Sequence, residues 1–107
     1  MNFKKKKYNI LCVIQARSGS KGIKKKNIKQ VSGHPLLAYS IYAAKKSKLI
    51  SKLVVSTDSN EIKNVSLNYG AEVPFLRPKK LSTDKIWSRD SLKHAVLKTE
   101  EIFNEKY

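Results

Sequence analysis

"ILCVIQARSGSKGIKKKN", residues Ile10 to Asn27, changes character once. Ile10 to Ile14 is an unbroken β-favouring apolar run, which predicts a buried strand. Ala16 to Asn27 then carries glycines at 19 and 22, Arg17, and lysines at 21, 24, 25 and 26. It reads as a basic glycine loop. In an open α/β sheet the loop after a strand is where an anion binds, because glycines bring backbone N–H groups close and lysines supply charge. The spacing is neither G-x-x-x-x-G-K-[ST] nor G-x-G-x-x-G. Taken alone, "SGSKG" is also accounted for by a solvated loop, and Lys24, Lys25 and Lys29 read as solvated charges.

The flanking sequence continues the α/β pattern. Gly33 and Pro35 frame a helix start, "LLAYSIYAA" supplies its apolar side chains, and Lys45, Lys46 and Lys48 suit the negative end of its dipole. "LVVST", Leu53 to Thr57, predicts a second buried strand. Asp58 or Ser59 caps the next helix, with Asp58 read as a cap rather than a metal ligand. Ile62, Val65 and Tyr69 mark the apolar face of that helix, and Gly70 ends it. "VPFL", Val73 to Leu76, predicts a short third strand bounded by prolines. From about Ser88, a helical face gathers Leu92, Ala95, Val96, Thr99, Ile102 and Phe103. Glu100, Glu101 and Glu105 sit where anions are unfavourable, so this helix must rely on packing. Strands alternating with helices predict a parallel sheet with right-handed crossovers. Three strands leave an edge uncovered, and the chain reads as the first half of something larger.

At 107 residues the chain is one domain, and 40% hydrophobic content is in the globular range. With 23 basic against 8 acidic residues the net charge is +15, which attracts polyanions. The basic residues are mostly lysine, and the only arginines are Arg17, Arg77 and Arg89. Readers of nucleic acid use arginine more heavily, and an AT-rich coding sequence accounts for the lysines as well. One cysteine, Cys12, excludes a disulfide framework and reads as a small core residue. No apolar run is long enough to cross a membrane. Met1 to Lys7 reads as a basic flexible tail on a cytoplasmic protein. His34 falls in a turn and His94 off the apolar face, so neither is assigned to catalysis.

The blocks "ARSGSKGIKKKN", "PLLAYSI", "VVSTDS" and "YGAEVPFLRP", the last followed by "LSTD", occur in that order. Together they resemble the acylneuraminate cytidylyltransferase family, the CMP-sialic acid synthetases. The resemblance runs from Ile10 to about Val96. Asn27 and the "LRP" block favour this family over its relative acting on an eight-carbon sugar acid. It implies a Rossmann-like, three-layer αβα fold of the nucleotide-diphospho-sugar transferase type, with a mostly parallel sheet, here truncated. It also implies transfer of CMP from CTP to an acidic nine-carbon keto sugar of the sialic, legionaminic or pseudaminic type, assisted by Mg²⁺.

Carried over by motif position, Arg17 and Lys21 hold the triphosphate and serve catalysis, with Ser20 and Gly22 in the cradle and Lys26 facing phosphate. Asn27 contacts the cytidine part, and Arg77 and Ser88 line the CTP pocket. Asp84 reads as structural, and Trp87 as packing at the pocket edge. Family members are longer. Their later part carries the metal-binding aspartates, much of the sugar pocket and a segment exchanged with a partner subunit, so a homodimer is implied for the full-length protein. Residues 8–107 are thus expected to be a CTP-binding half that is inactive alone, with no metal ligands of its own. The competing reading is a GXXG-type RNA-binding module built on Gly19 to Gly22. Such a loop joins two helices, whereas this one follows a predicted strand, and aromatic residues for base stacking are scarce.

Overall fold

The computed structural model describes residues 9–18, 26–83, 86 and 88–107, with only the backbone of Lys26. Strand β1, Leu11–Gln15, is the apolar run read from the sequence, shifted by one residue. A 3-10 turn, Lys26–Ile28, leads to a small hairpin of β2, Gln30–Val31, and β3, His34–Pro35. Helix α1, Leu36–Lys46, follows directly. Then come β4, Lys52–Ser56, helix α2, Asn60–Asn68, a 3-10 turn at Lys79–Leu81, and helix α3, Ser88–Phe103.

β1 and β4 pair in parallel, with Val13 opposite Val54 and Gln15 opposite Ser56. Strand alternation sends Val54 and Val55 to opposite faces of this sheet. Val55 joins Ala16, Leu37, Ile41, Ile62, Ala71 and Val73 in the core that α1 and α2 cover. Val54 is also fully buried, on the other face, and α3 packs against β1. This is the Rossmann-like α/β arrangement expected, with helices on both faces of a parallel sheet.

Three local expectations need correction. Val73 to Leu76 does not form a strand. Beside β4 there is one parallel bridge, Val54 with Glu72, and the chain rejoins β4 only where Arg77 N donates to Thr57 O at 2.7 Å. Pro74, lacking an N–H, cannot continue the ladder between them. The β2–β3 hairpin lies where only a helix start was read. Ser32 and Gly33 have φ of 49° and 85°, the left-handed pair that a two-residue hairpin turn needs. Finally, the buried stripe of α3 is rotated from the apolar one. Ala95 and Thr99 are buried as read, but Ser91 is buried with them, whereas Leu92 and Ile102 are 41% and 47% exposed. Small side chains let α3 lie close to the sheet, and Thr99 Oγ1 donates to Ala95 O at 2.7 Å.

The helix termini follow local chemistry. Ser59 Oγ accepts from Ile62 N at 3.2 Å and caps α2. Gly70, with φ of 91°, turns the chain out of that helix. Cys12 is half-buried in β1, where burial pushes its thiol up from the ordinary value. No helix among the described residues is long and apolar enough to cross a membrane.

Ile41 is fully buried at the centre of the α1–α2 core. Ile41→Ala is expected to destabilise the fold by about 2–5 kcal/mol, because a cavity adds to the lost transfer energy. The urea unfolding midpoint measures this.

Candidate functional site

Parallel pairing brings the carboxyl ends of β1 and β4 side by side, and the chain beyond each strand turns over the same edge. From β1 come Gln15, Arg17 and Ser18; from β4 come Thr57 and Asp58. The bond from Arg77 N to Thr57 O draws a third segment to this edge.

Asp58 holds the mouth of the glycine loop. Ser18 N donates to Asp58 Oδ1 at 2.8 Å, and Ser18 Oγ donates to Oδ2 at 2.7 Å. Helix α2 is capped by Ser59 instead, so the reading of Asp58 as a cap is corrected. At the far end of the loop, Asn27 Nδ2 donates to Arg17 O at 3.2 Å. The loop therefore leaves and rejoins the described structure at two side-chain clamps. Burial would raise the Asp58 carboxyl, but the Ser18 hydroxyl and amide hydrogen bonds, with the Arg77 charge, hold it below its ordinary value.

Arg77 is the other fixed point, at 4% exposure. Its Nε donates to Ser82 Oγ at 3.1 Å, and one terminal nitrogen donates to Gln15 Oε1 at 3.2 Å. Ser91 Oγ, on α3, donates to the same Gln15 oxygen. Burial pulls the guanidinium down from its ordinary value, Asp58 opposes this, and Arg17 adds to it. An arginine stays charged under such shifts.

These groups form the polar wall of a cavity of about 310 Å³, near the small end of the usual ligand-pocket range. Gln15, Arg17, Arg77, Ser88 and Ser91 line it together with Leu81 and Ile86, and no carboxylate lines it among the described residues. A smaller cavity of about 180 Å³ adjoins Arg17, Ser18, Asn27 and Ser59. Arg17 is common to both. The arrangement suits an anion near Arg17 and an acceptor-bearing group near Arg77.

Of the residues read from the sequence, Arg17, Arg77 and Ser88 meet in the larger cavity, and Asn27 meets Arg17 in the smaller one. Ser20, Lys21, Gly22, Asp84 and Trp87 lie outside the described residues, as does the Lys26 side chain. Gln15, Ser91 and the role of Asp58 were not read from the sequence. Gln15 and Asp58 had a usable signal, since each is polar and lies at the carboxyl end of an apolar run. Ser91 had none.

A family model described as cytidylyltransferase matches residues 11–102. The post-translational flagellin modification protein B of Campylobacter coli is 47% identical over 94 residues, which is 88% of this chain and 40% of that protein. A CMP-N,N'-diacetyllegionaminic acid synthase of Campylobacter jejuni has the same identity over the same length and shares. An N-acylneuraminate cytidylyltransferase of Escherichia coli is 45% identical over 87 residues, 81% of this chain and 20% of that protein. The chain thus spans at most about 40% of the length of these curated relatives. Among solved structures, a CMP:2-keto-3-deoxy-manno-octonic acid synthetase complexed with CTP shares the fold. Its TM-score is 0.71 at 20% identity, covering 84% of this chain and 35% of that one.

The clamp at Asp58 has a pH signature. A carboxyl held below its unfolded value of about 3.9 contributes stability that is full above that value and is lost as pH falls through the folded one. The stability gap between wild type and Asp58→Asn is expected to be constant above about pH 4 and to close on further acidification. Urea unfolding across pH reads this, and carboxyl NMR titration should place Asp58 below the ordinary aspartate value. A gap that widens in acid would contradict the clamp.

Proposed function

The chain belongs to the cytidylyltransferase family, and on that premise we propose that residues 8–107 form the CTP-holding part of an enzyme that makes CMP-activated acidic nine-carbon keto sugars. The sialic, legionaminic and pseudaminic acids are the substrate class, as the names of the relatives suggest. The observation that carries the reading is that Arg17, Arg77 and Ser88, far apart in sequence, line one cavity at the carboxyl ends of the strands, with no carboxylate in it among the described residues.

In the proposed reaction the anomeric hydroxyl oxygen of the sugar acid bonds to the α-phosphorus of CTP. The bond from that phosphorus to the β-bridging oxygen breaks, pyrophosphate leaves with the electron pair, and the hydroxyl proton passes to solvent. Charge gathers on the leaving pyrophosphate, so cations and N–H donors fixed there lower the barrier. Arg17 and Lys21 take that role, with Ser20, Gly22 and Lys26 completing the cradle. Asn27 faces the cytidine part while holding the Arg17 carbonyl, and Arg77 and Ser88 line the nucleoside pocket.

Mg²⁺ would neutralise the phosphates in such a reaction, but the described residues do not fit it. No group of three His, Cys, Asp or Glu side chains gathers among them, and both Asp58 oxygens are taken by Ser18. Carboxylates for the ion are assigned to the later part that longer family members carry, and on that assignment residues 1–107 by themselves act as a binding unit without transfer activity. A cytoplasmic location and a homodimer of the full-length protein belong to the same reading.

Arg17→Ala is expected to weaken CTP by about 10- to 100-fold, the worth of a hydrogen bond to a charged group, and CMP much less. Calorimetry on both nucleotides decides, and equal losses would remove Arg17 from the outer phosphates. Tight, salt-sensitive binding of single-stranded RNA with no preference among triphosphates would overturn the nucleotide reading. CMP-sugar formation by residues 1–107 alone would overturn their inactivity.

A further inference from the structure

Gln15 ends β1 and lines the 310 Å³ cavity, and the proposed reaction leaves it without a task. A carboxamide can present either its oxygen or its nitrogen to a neighbour, and here the chemistry of the neighbour fixes which. The Arg77 guanidinium can only donate, so the Gln15 atom 3.2 Å from its terminal nitrogen must be oxygen. Ser91 Oγ lies against that same oxygen, its one proton shared between it and Ser88 O at 3.1 Å. Arg77 cannot readily move away, since it is 4% exposed and its Nε is tied to Ser82. Gln15 Nε2 is left with its N–H groups and no acceptor among the described residues. Turning the amide over would set its NH₂ against the guanidinium N–H groups, so the side chain is locked as a donor.

We propose that Gln15 sets the base preference of this site by donating from Nε2 to the acceptor edge of cytosine, a role that rests on the nucleotide reading above and adds a residue to it. Cytosine carries two adjacent acceptors, O2 and N3. Uracil carries an N–H at position 3, which meets a locked donor head-on. An unlocked glutamine could turn over and accept from that N–H; the donor-only guanidinium of Arg77 prevents this. Base discrimination therefore depends on a buried cation that need not touch the ring position being read.

The test compares CTP and UTP dissociation constants by calorimetry on the full chain. Gln15→Glu keeps an oxygen toward Arg77 and Ser91 but replaces the donor by an acceptor. Its added charge acts on both triphosphates alike, so the ratio isolates the base. The preference for CTP over UTP is expected to fall by about tenfold or more, the worth of one unpaired polar group. Gln15→Met, which removes donor and acceptor at similar volume, should also lower the ratio and carries the test if the charged variant fails to fold. An unchanged ratio in both variants, with both nucleotides weakened together, would reduce Gln15 to a buttress for Arg77. That result overturns this inference and leaves the CTP site standing. A wild-type chain with no preference for CTP over UTP overturns both.

Discussion

Val13 lies opposite Val54, and Gln15 opposite Ser56, in one parallel ladder. Parallel pairing requires the connection to cross over the sheet, and α1 is that crossover. It also requires both strands to end at the same edge, so the glycine loop after β1 and the Thr57–Ser59 turn after β4 become neighbours. An antiparallel pair would have put them at opposite ends. The clamp of Ser18 by Asp58 and the approach of Arg77 to Thr57 both depend on this direction.

Within that frame the buried guanidinium of Arg77 organises the polar wall. Removing an unpartnered charge from water costs several kcal/mol. The structure offsets this with Ser82 and Gln15 as acceptors and with the charge of Asp58. Each partner is then constrained in turn: Ser82 by Pro78, Gln15 by Ser91. The donors that remain are held before a ligand arrives, which is what electrostatic preorganisation requires.

Much of the core was legible. Ile41, Val55 and Ile62 follow strand and helix periods because one face of each element must leave water. The misses have local physical causes. β2 and β3 are two residues each, too short to show a period. Pro74 interrupts the ladder beside β4, although "VPFL" has a strand's composition. The stripe of α3 was legible at Ala95 and Thr99, but hydrophobicity also drew in Leu92 and Ile102, whereas close packing on β1 selected Ser91.

The sequence by itself determined the strand-then-basic-loop unit, the alternation of strands and helices, and the ordered blocks that mark the family, because each is written in neighbouring residues. The tertiary structure alone decided the partners of the polar groups. Ser18 and Asp58 are 40 positions apart, Gln15 and Arg77 are 62, and Gln15 and Ser91 are 76. No local period links such pairs. A hydrogen bond acts over about 3 Å, so which donor meets which acceptor is settled only when the sheet and α3 have come together.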